Sequence, residues 1–344
     1  MEADRRIVTL SPGSLIPTNV NGVVAFPALP HDLDVKSADD SVLAKYGIFL
    51  PRPGRGKDPG LTAMWNKIAG QKWRSIVPQL GPLQRRRPVF APNIPRPRHT
   101  PSSQPGYAVC SLSGPPVPPW EKPFDNVFAT WIVPNLEAPP QGLPQGNTAR
   151  LAWWVALDNA EPDPGEMLQA GFSESLPSST NVTSVGSPWW FWFPPNDVGV
   201  IGQTLLNFPR INVGDEVMFS ASYVFTTASP VRPLRLPTLL YGVMSVYNVT
   251  QSFSMSVLFP PPAGAKGPGR AIEWVLENYN WSNAYTLGGA PVVPGFDAVT
   301  FSDVGEGNPA NGAVTINMQD TSLPGDPVVV DVSSGPDSVT MSYV

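Results

Sequence analysis

The sequence predicts an all-β protein, an antiparallel sandwich or barrel, preceded by an irregular and partly helical N-terminal segment. Three observations carry this. Short apolar runs recur between turn signals along most of the chain. Proline accounts for 44 of the 344 residues, more than twice the usual frequency of about 5%, and prolines at that density forbid long helices. The 11 Trp and 15 Phe suit strands and binding grooves.

Residues 1–50 mix polar and apolar positions without sustained periodicity. Residues 58–73 form the best helix candidate. Asp58-Pro-Gly60 gives a start, and Leu61, Met64, Trp65 and Ile68 then fall on one apolar stripe. Such a stripe is a packing face. Arg85-Arg-Arg87 follows, read either as a processing site or as a solvated basic run. From Pro88 to Pro105 prolines recur every few residues, as in an extended linker. The boundary falls near residue 101: a propeptide-like segment over 1–101, and a β domain over 102–344.

Charge divides along the same boundary. Residues 1–106 hold 15 Lys+Arg and 7 Asp+Glu, so 15 − 7 = +8. Residues 107–344 hold 7 and 20, so 7 − 20 = −13. Their sum matches the net charge of −5. The split fits electrostatic docking of the front segment onto the back domain, weakening as carboxylates protonate in acid. An acidic domain argues against nucleic acid as a partner. No apolar run is long enough to span a membrane. The lone Cys110 excludes an internal disulfide. With only His31 and His99, histidine triads and multi-histidine zinc sites are not expected, and no metal or cofactor is implied.

From Tyr107 onward the strand candidates are residues 128–134, 152–157, 166–172, 189–193, 216–225, 252–259, 298–301, 313–318, 328–332 and 338–344. Asn212-Val-Gly-Asp215, the glycines between 264 and 269, and Gly288-Gly289 separate them.

The most informative stretch is Arg270 to Glu277. On a strand, Ile272, Trp274 and Leu276 share one face, and Ala271, Glu273, Val275 and Glu277 the other. A carboxylate in such a run faces water, finds a partner or carries a shifted pKa. About a hundred residues earlier, Gln169 sits opposite Leu168 on its own strand. Asp158 ends the Trp153–Asp158 strand. Trp189-Trp-Phe-Trp-Phe193 sets five aromatics in a row, and alternation leaves one set on a face that water or a ligand must meet.

Trp154-Val-Ala-Leu-Asp158, then Leu168-Gln-Ala-Gly-Phe172, then Trp192-Phe-Pro194, then Ala271-Ile-Glu-Trp-Val-Leu-Glu277 resembles the glutamic peptidases, or eqolisins. Their members carry comparable segments in this order. Gly106-Tyr-Ala-Val, Phe128-Ala-Thr-Trp-Ile-Val-Pro134, residues 296–301 and the ending Met341-Ser-Tyr-Val344 also look like the family's strands. The resemblance covers about residues 102–344. It implies a lectin-like sandwich of two seven-stranded antiparallel sheets, with Gln169 and Glu273 as a catalytic pair in a groove. In that reading Glu273 deprotonates a water and returns the proton to the leaving nitrogen, while Gln169 stabilises the oxyanion. Trp154, Asp158, Trp190 and Trp192 are the expected substrate-binding residues. An acid optimum and an inhibitory basic propeptide over the groove are implied too.

The sequence departs from the family pattern at Pro105, at Phe191 where an acid is expected, at Phe193 for a tyrosine, and at Ala156 for a glycine. These changes make the groove more apolar and remove a carboxylate near the pair. The resemblance implies secretion, and the sequons at Asn181, Asn248 and Asn280 are compatible with it. Met1-Glu-Ala-Asp-Arg-Arg6 is not followed by a clean apolar stretch, so no ordinary signal peptide is expected. The expected partners are a protein or peptide substrate and the chain's own N-terminal segment, with the protein acting as a monomer. The competing readings are a peptide- or carbohydrate-binding sandwich using the tryptophans as a platform, and a glycosidase using Asp158 and Glu273. Gln169 argues against the second.

Overall fold

The computed structural model describes residues 10, 14–50, 59–82, 107–111, 124–138, 142–143, 145–146, 148–158, 166–194, 201–228, 235–269, 272–278, 286–287, 290–291, 294–302, 314–318, 330–334 and 338–343. Two antiparallel sheets pack face to face. The first runs, in spatial order, Ile16–Pro17, Val24–Ala25, Phe253–Phe259, Arg235–Asn248, Glu216–Ala228, Asn126–Ile132, Val299–Ser302, Ser338–Tyr343 and Val330–Ser334, with Arg74–Ser75 added in parallel to Phe253–Phe259. The second runs Ile201–Thr204, Trp189–Phe193, Met167–Pro177, Thr148–Asp158, Ile272–Asn278, Tyr107–Ser111 and Val314–Met318, with Ser184–Val185 beside Met167–Pro177. The sheets hold ten and eight strands. Without the three N-terminal pieces the first has 10 − 3 = 7, and without Ser184–Val185 the second has 8 − 1 = 7. The fold is the expected β-sandwich with additions at its margins.

Period-two alternation builds the interior. Val217, Phe219, Ala221, Tyr223 and Phe225 from the first sheet meet Trp153, Val155, Leu157, Leu168, Phe172, Ile272, Trp274 and Leu276 from the second. Trp131 stacks on Phe172 at 5.9 Å and on Phe219 at 5.2 Å. Trp190 stacks on Phe259 at 3.6 Å. Each such pair contributes about 0.5–1.5 kcal/mol beyond the burial of its area. The Arg235–Asn248 strand is absent from the sequence reading, because Pro237 and Gly242 interrupt its pattern. Gly242 is required there: a Cβ would collide with the rings of Phe259 and Trp192.

The predicted helix forms over Pro59–Ala69. Its stripe of Leu61, Met64, Trp65 and Ile68 packs, with Leu43, Ile48 and Trp73, on Phe128, Met218, Tyr247 and Val249. Phe128, Met218 and Tyr247 point away from the sandwich interior, and Val249 lies in the turn after Asn248. Leu10, Phe26, Ala44 and Phe49 cover Val224, Tyr241, Val243 and Leu258 on the same outer face. A short helix, Asp40–Ala44, supplies Leu43 and Ala44 from a stretch without visible periodicity. Its single turn is too short to show one.

Residues 83–106 lie outside the described residues. Of the segment expected over the Glu273 face, residues 14–50 and 59–82 pack instead on the outer face of the first sheet. They then reach the edge of the second, where Leu80 bridges to Leu205 and the Gly81 N–H donates to the Thr204 carbonyl at 2.9 Å. The reason is apolar: the outer face of the first sheet carries Phe128, Met218, Val224, Tyr247 and Leu258, and these need a cover.

Candidate active site

Register assembles the site. Glu273 pairs with Ala156, Ala156 pairs with Gln169, and Gln169 pairs with Phe191. Directly opposed residues of antiparallel strands share a face. The carboxyl and the amide therefore rise from alternate strands, roughly 10 Å apart at the backbone given strand spacings of about 4.8 Å. Only the Ala156 methyl stands between them. Both side chains lie on the face away from the sandwich interior, opposite Leu168, Ile272 and Trp274 as the alternation predicts.

The site is closed to bulk water. Glu273 is 4% exposed, Gln169 7% and Asp158 3%. Burial first, and the Asp158 charge second, push the Glu273 carboxyl up to about 8. Asp158 ends its strand with a left-handed backbone, φ +70°, and its Oδ2 accepts the Gly269 N–H at 3.0 Å. Gln169 Oε1 is buried and accepts no hydrogen bond from the described residues. A buried amide oxygen without a hydrogen-bond partner is costly for structure alone, by about 1–3 kcal/mol.

The expected binding residues divide. Trp154 lies on the Glu273 face, in the next row of the register between Val275 and Gly171. Asp158 is beside Glu273. Trp190 and Trp192 are not on this face. Both are 0% exposed in the sandwich interior, Trp190 on Phe259 and Trp192 beside Tyr223 at 5.6 Å. The other set of the same strand, Trp189 and Phe191, stands on the Glu273 face and joins Ala152, Trp154, Ala156, Met167 and Val275 in one apolar cluster. Alternation alone separates the two sets but does not say which faces Gln169. The register with Met167–Pro177 decides it.

Two further carboxyls were not singled out. Glu174 faces the interior, where Trp153 Nε1 donates to its Oε2, and burial pushes it up to about 8. Glu166, just before Met167, accepts the Trp192 Nε1–H at 2.9 Å. An acid immediately ahead of an apolar run was the available signal. Of the sequons, Asn181 is exposed in a turn, whereas Asn248 is buried with its Nδ2 donating to Asp215 at 2.8 Å. Asn280, Arg85–Arg87, Pro105 and the side chain of Glu277 lie outside the described residues.

Solved structures show similarity at low identity. A scytalido-glutamic peptidase with a transition state analog inhibitor aligns at a TM-score of 0.47 and 21% identity, covering 70% of this chain and 99% of that one. SCP-B, an eqolisin in complex with the tripeptide Ala-Ile-His, aligns at 0.42 and 20%, covering 70% and 99%. The aspergilloglutamic peptidase of Aspergillus niger aligns at 0.35 and 18%, covering 57% and 99%. No curated protein matches in sequence. The Peptidase A4 family model matches residues 112–343, about two thirds of the chain, so the protein belongs to the Peptidase A4 family, the glutamic peptidases, and is a peptidase by that membership.

Proposed function

We propose that the protein is an acid endopeptidase in which Glu273 and Gln169 act on a peptide bond held over the Ala156 row. The observation that carries this reading is the convergence of a buried carboxyl and a buried amide across one small residue. As carboxylate, Glu273 takes a proton from water as the water attacks the peptide carbonyl, and then delivers it to the leaving nitrogen. The Gln169 amide donates to the developing oxyanion. In the closed site burial and Asp158 keep the proton on Glu273. An incoming water and the Gln169 amide stabilise the anion by donating hydrogen bonds to it, which opens the general-base step.

Zymogen control is part of the reading, and its support is the +8/−13 charge division. Residues 1–101 act as a propeptide-like segment that is cut in acid near residues 98–107. Because residues 14–50 and 59–73 pack on the first sheet, they stay docked after the cut.

Digestion of casein by the full-length chain from pH 2 to 7, with Glu273→Gln and Gln169→Ala alongside, tests the assignment. Wild type should digest in acid. Glu273→Gln should be inactive, and Gln169→Ala should fall by about 100-fold or more. Full activity in Glu273→Gln would rule out this mechanism. No digestion by wild type at any pH, even after acid cleavage, would favour the binding-module reading.

A further inference from the structure

The connection from Phe253–Phe259 to Ile272–Asn278 crosses from the first sheet to the second and delivers Glu273. Its segment 264–269 is held from both sides. Gly264, Gly267 and Gly269 have φ of +86°, +60° and +65°. A Cβ on Gly267 would press on Tyr223 and Leu240, and one on Gly269 would collide with the Phe124 carbonyl. Gly269 is tied to Phe124, two residues ahead of the first sheet's Asn126–Ile132 strand: the Phe124 N–H donates to the Gly269 carbonyl at 2.8 Å.

From the second sheet comes Glu166, 2% exposed. Its Oε2 accepts the Lys266 N–H at 2.6 Å, and its Oε1 accepts the Gly267 N–H at 2.9 Å as well as the Trp192 indole N–H. One carboxylate thus binds two consecutive backbone amides of the crossover. Charge-assisted bonds of this kind are among the stronger ones.

We infer that Glu166 is a positioning residue, a register lock for the strand that carries Glu273. The assignment rests on the reading of Glu273 as the reacting carboxyl. Its physical basis is the period of two along a strand. A one-residue slip of Ile272–Asn278 would turn Glu273 into the sandwich interior and bring Ile272 or Trp274 onto the groove face. The tight glycine backbone and the Glu166 anion fix where the crossover ends, and with it which residue meets Ala156.

Glu166→Gln and Glu166→Asp in the full-length chain separate this from packing. Gln has the same size but presents an NH2 to an amide donor. Asp is shorter but remains an anion. A lock made by the anion ranks Asp above Gln; a packing role ranks Gln above Asp. In Glu166→Gln, hydrogen exchange over residues 264–276 should quicken about tenfold or more while the Glu216–Ala228 strand is unchanged. On a peptide substrate kcat should fall about tenfold or more with KM within about twofold. Glu166→Asp should recover part of both. Exchange and kcat near wild type in Glu166→Gln, or a Gln variant better than the Asp variant, overturns the lock. If Glu166→Gln does not fold while Glu166→Asp folds with slowed turnover, the anion requirement stands. If wild type cleaves no peptide, the peptidase reading fails, and the exchange ranking alone decides the lock.

Discussion

Glu273 and Gln169 pair with the same residue, Ala156, from opposite sides. The space between carboxyl and amide is therefore set by one methyl group. Ala156→Leu should fill it. Activity is expected to fall about 100-fold or more, because misplacement of reacting groups by about 1 Å has that effect. The overpacking should cost about 1–3 kcal/mol of stability. Steady-state kinetics beside urea denaturation separates the two, and unchanged kcat in Ala156→Leu would contradict the pairing of the two groups in catalysis.

The two raised carboxyls are expected to make the fold more stable in acid than at alkaline pH. Glu273 and Glu174 titrate near 4.5 when free and about 8 when folded. The folded chain binds more protons between those values, so stability is fully present below pH 4.5 and is lost as pH rises through about 8. Together the two groups are expected to contribute a difference on the order of several kcal/mol. Urea midpoints should be higher at pH 4.5 than at pH 8, and Glu174→Gln, which still accepts from Trp153, should flatten part of the slope. A midpoint that rises toward pH 8 would contradict this.

Phe191 stands beside Gln169, tilted against Trp189 at 5.5 Å and Phe193 at 6.2 Å. With the acid expected by resemblance missing, that side of the site presents no charged side chain among the described residues. Phe191→Glu should raise cleavage at basic residues relative to apolar ones by about tenfold or more, the scale on which a site discriminates a charge it can pair. Cleavage-site profiling of a peptide mixture reads this out directly; an unchanged profile would place Phe191 outside the substrate's reach.

The N-terminal segment behaves as part of the fold. Trp65→Ala removes a buried anchor from the outer face of the first sheet and should cost about 3–5 kcal/mol. The folded fraction should keep its kcat, because the site lies on the other sheet. After acid cleavage of the linker, the two pieces should co-elute on size exclusion. Separation of an intact, soluble C-terminal piece would show that the outer face needs no cover.

Much of this was legible in the chain. Alternation at Ile272, Trp274 and Leu276 placed Glu273 on the face away from the sandwich interior, and Leu168 did the same for Gln169, because side chains on a strand have a fixed period of two. Turn residues and proline density excluded long helices, and the Leu61-Met64-Trp65-Ile68 stripe located the helix. What alternation cannot supply is the register between strands distant in sequence. That register put Trp189 and Phe191 on the Glu273 face and sent Trp190 and Trp192 inside. It also brought Glu273, about a hundred residues further along the chain, beside Ala156 and across it from Gln169. The charge division suggested where the N-terminal segment docks, but apolar surface decided it. Burial of Phe128, Met218 and Tyr247 outweighs screened attraction between charges, and which sheet face lacks a cover is known only once the sandwich has closed.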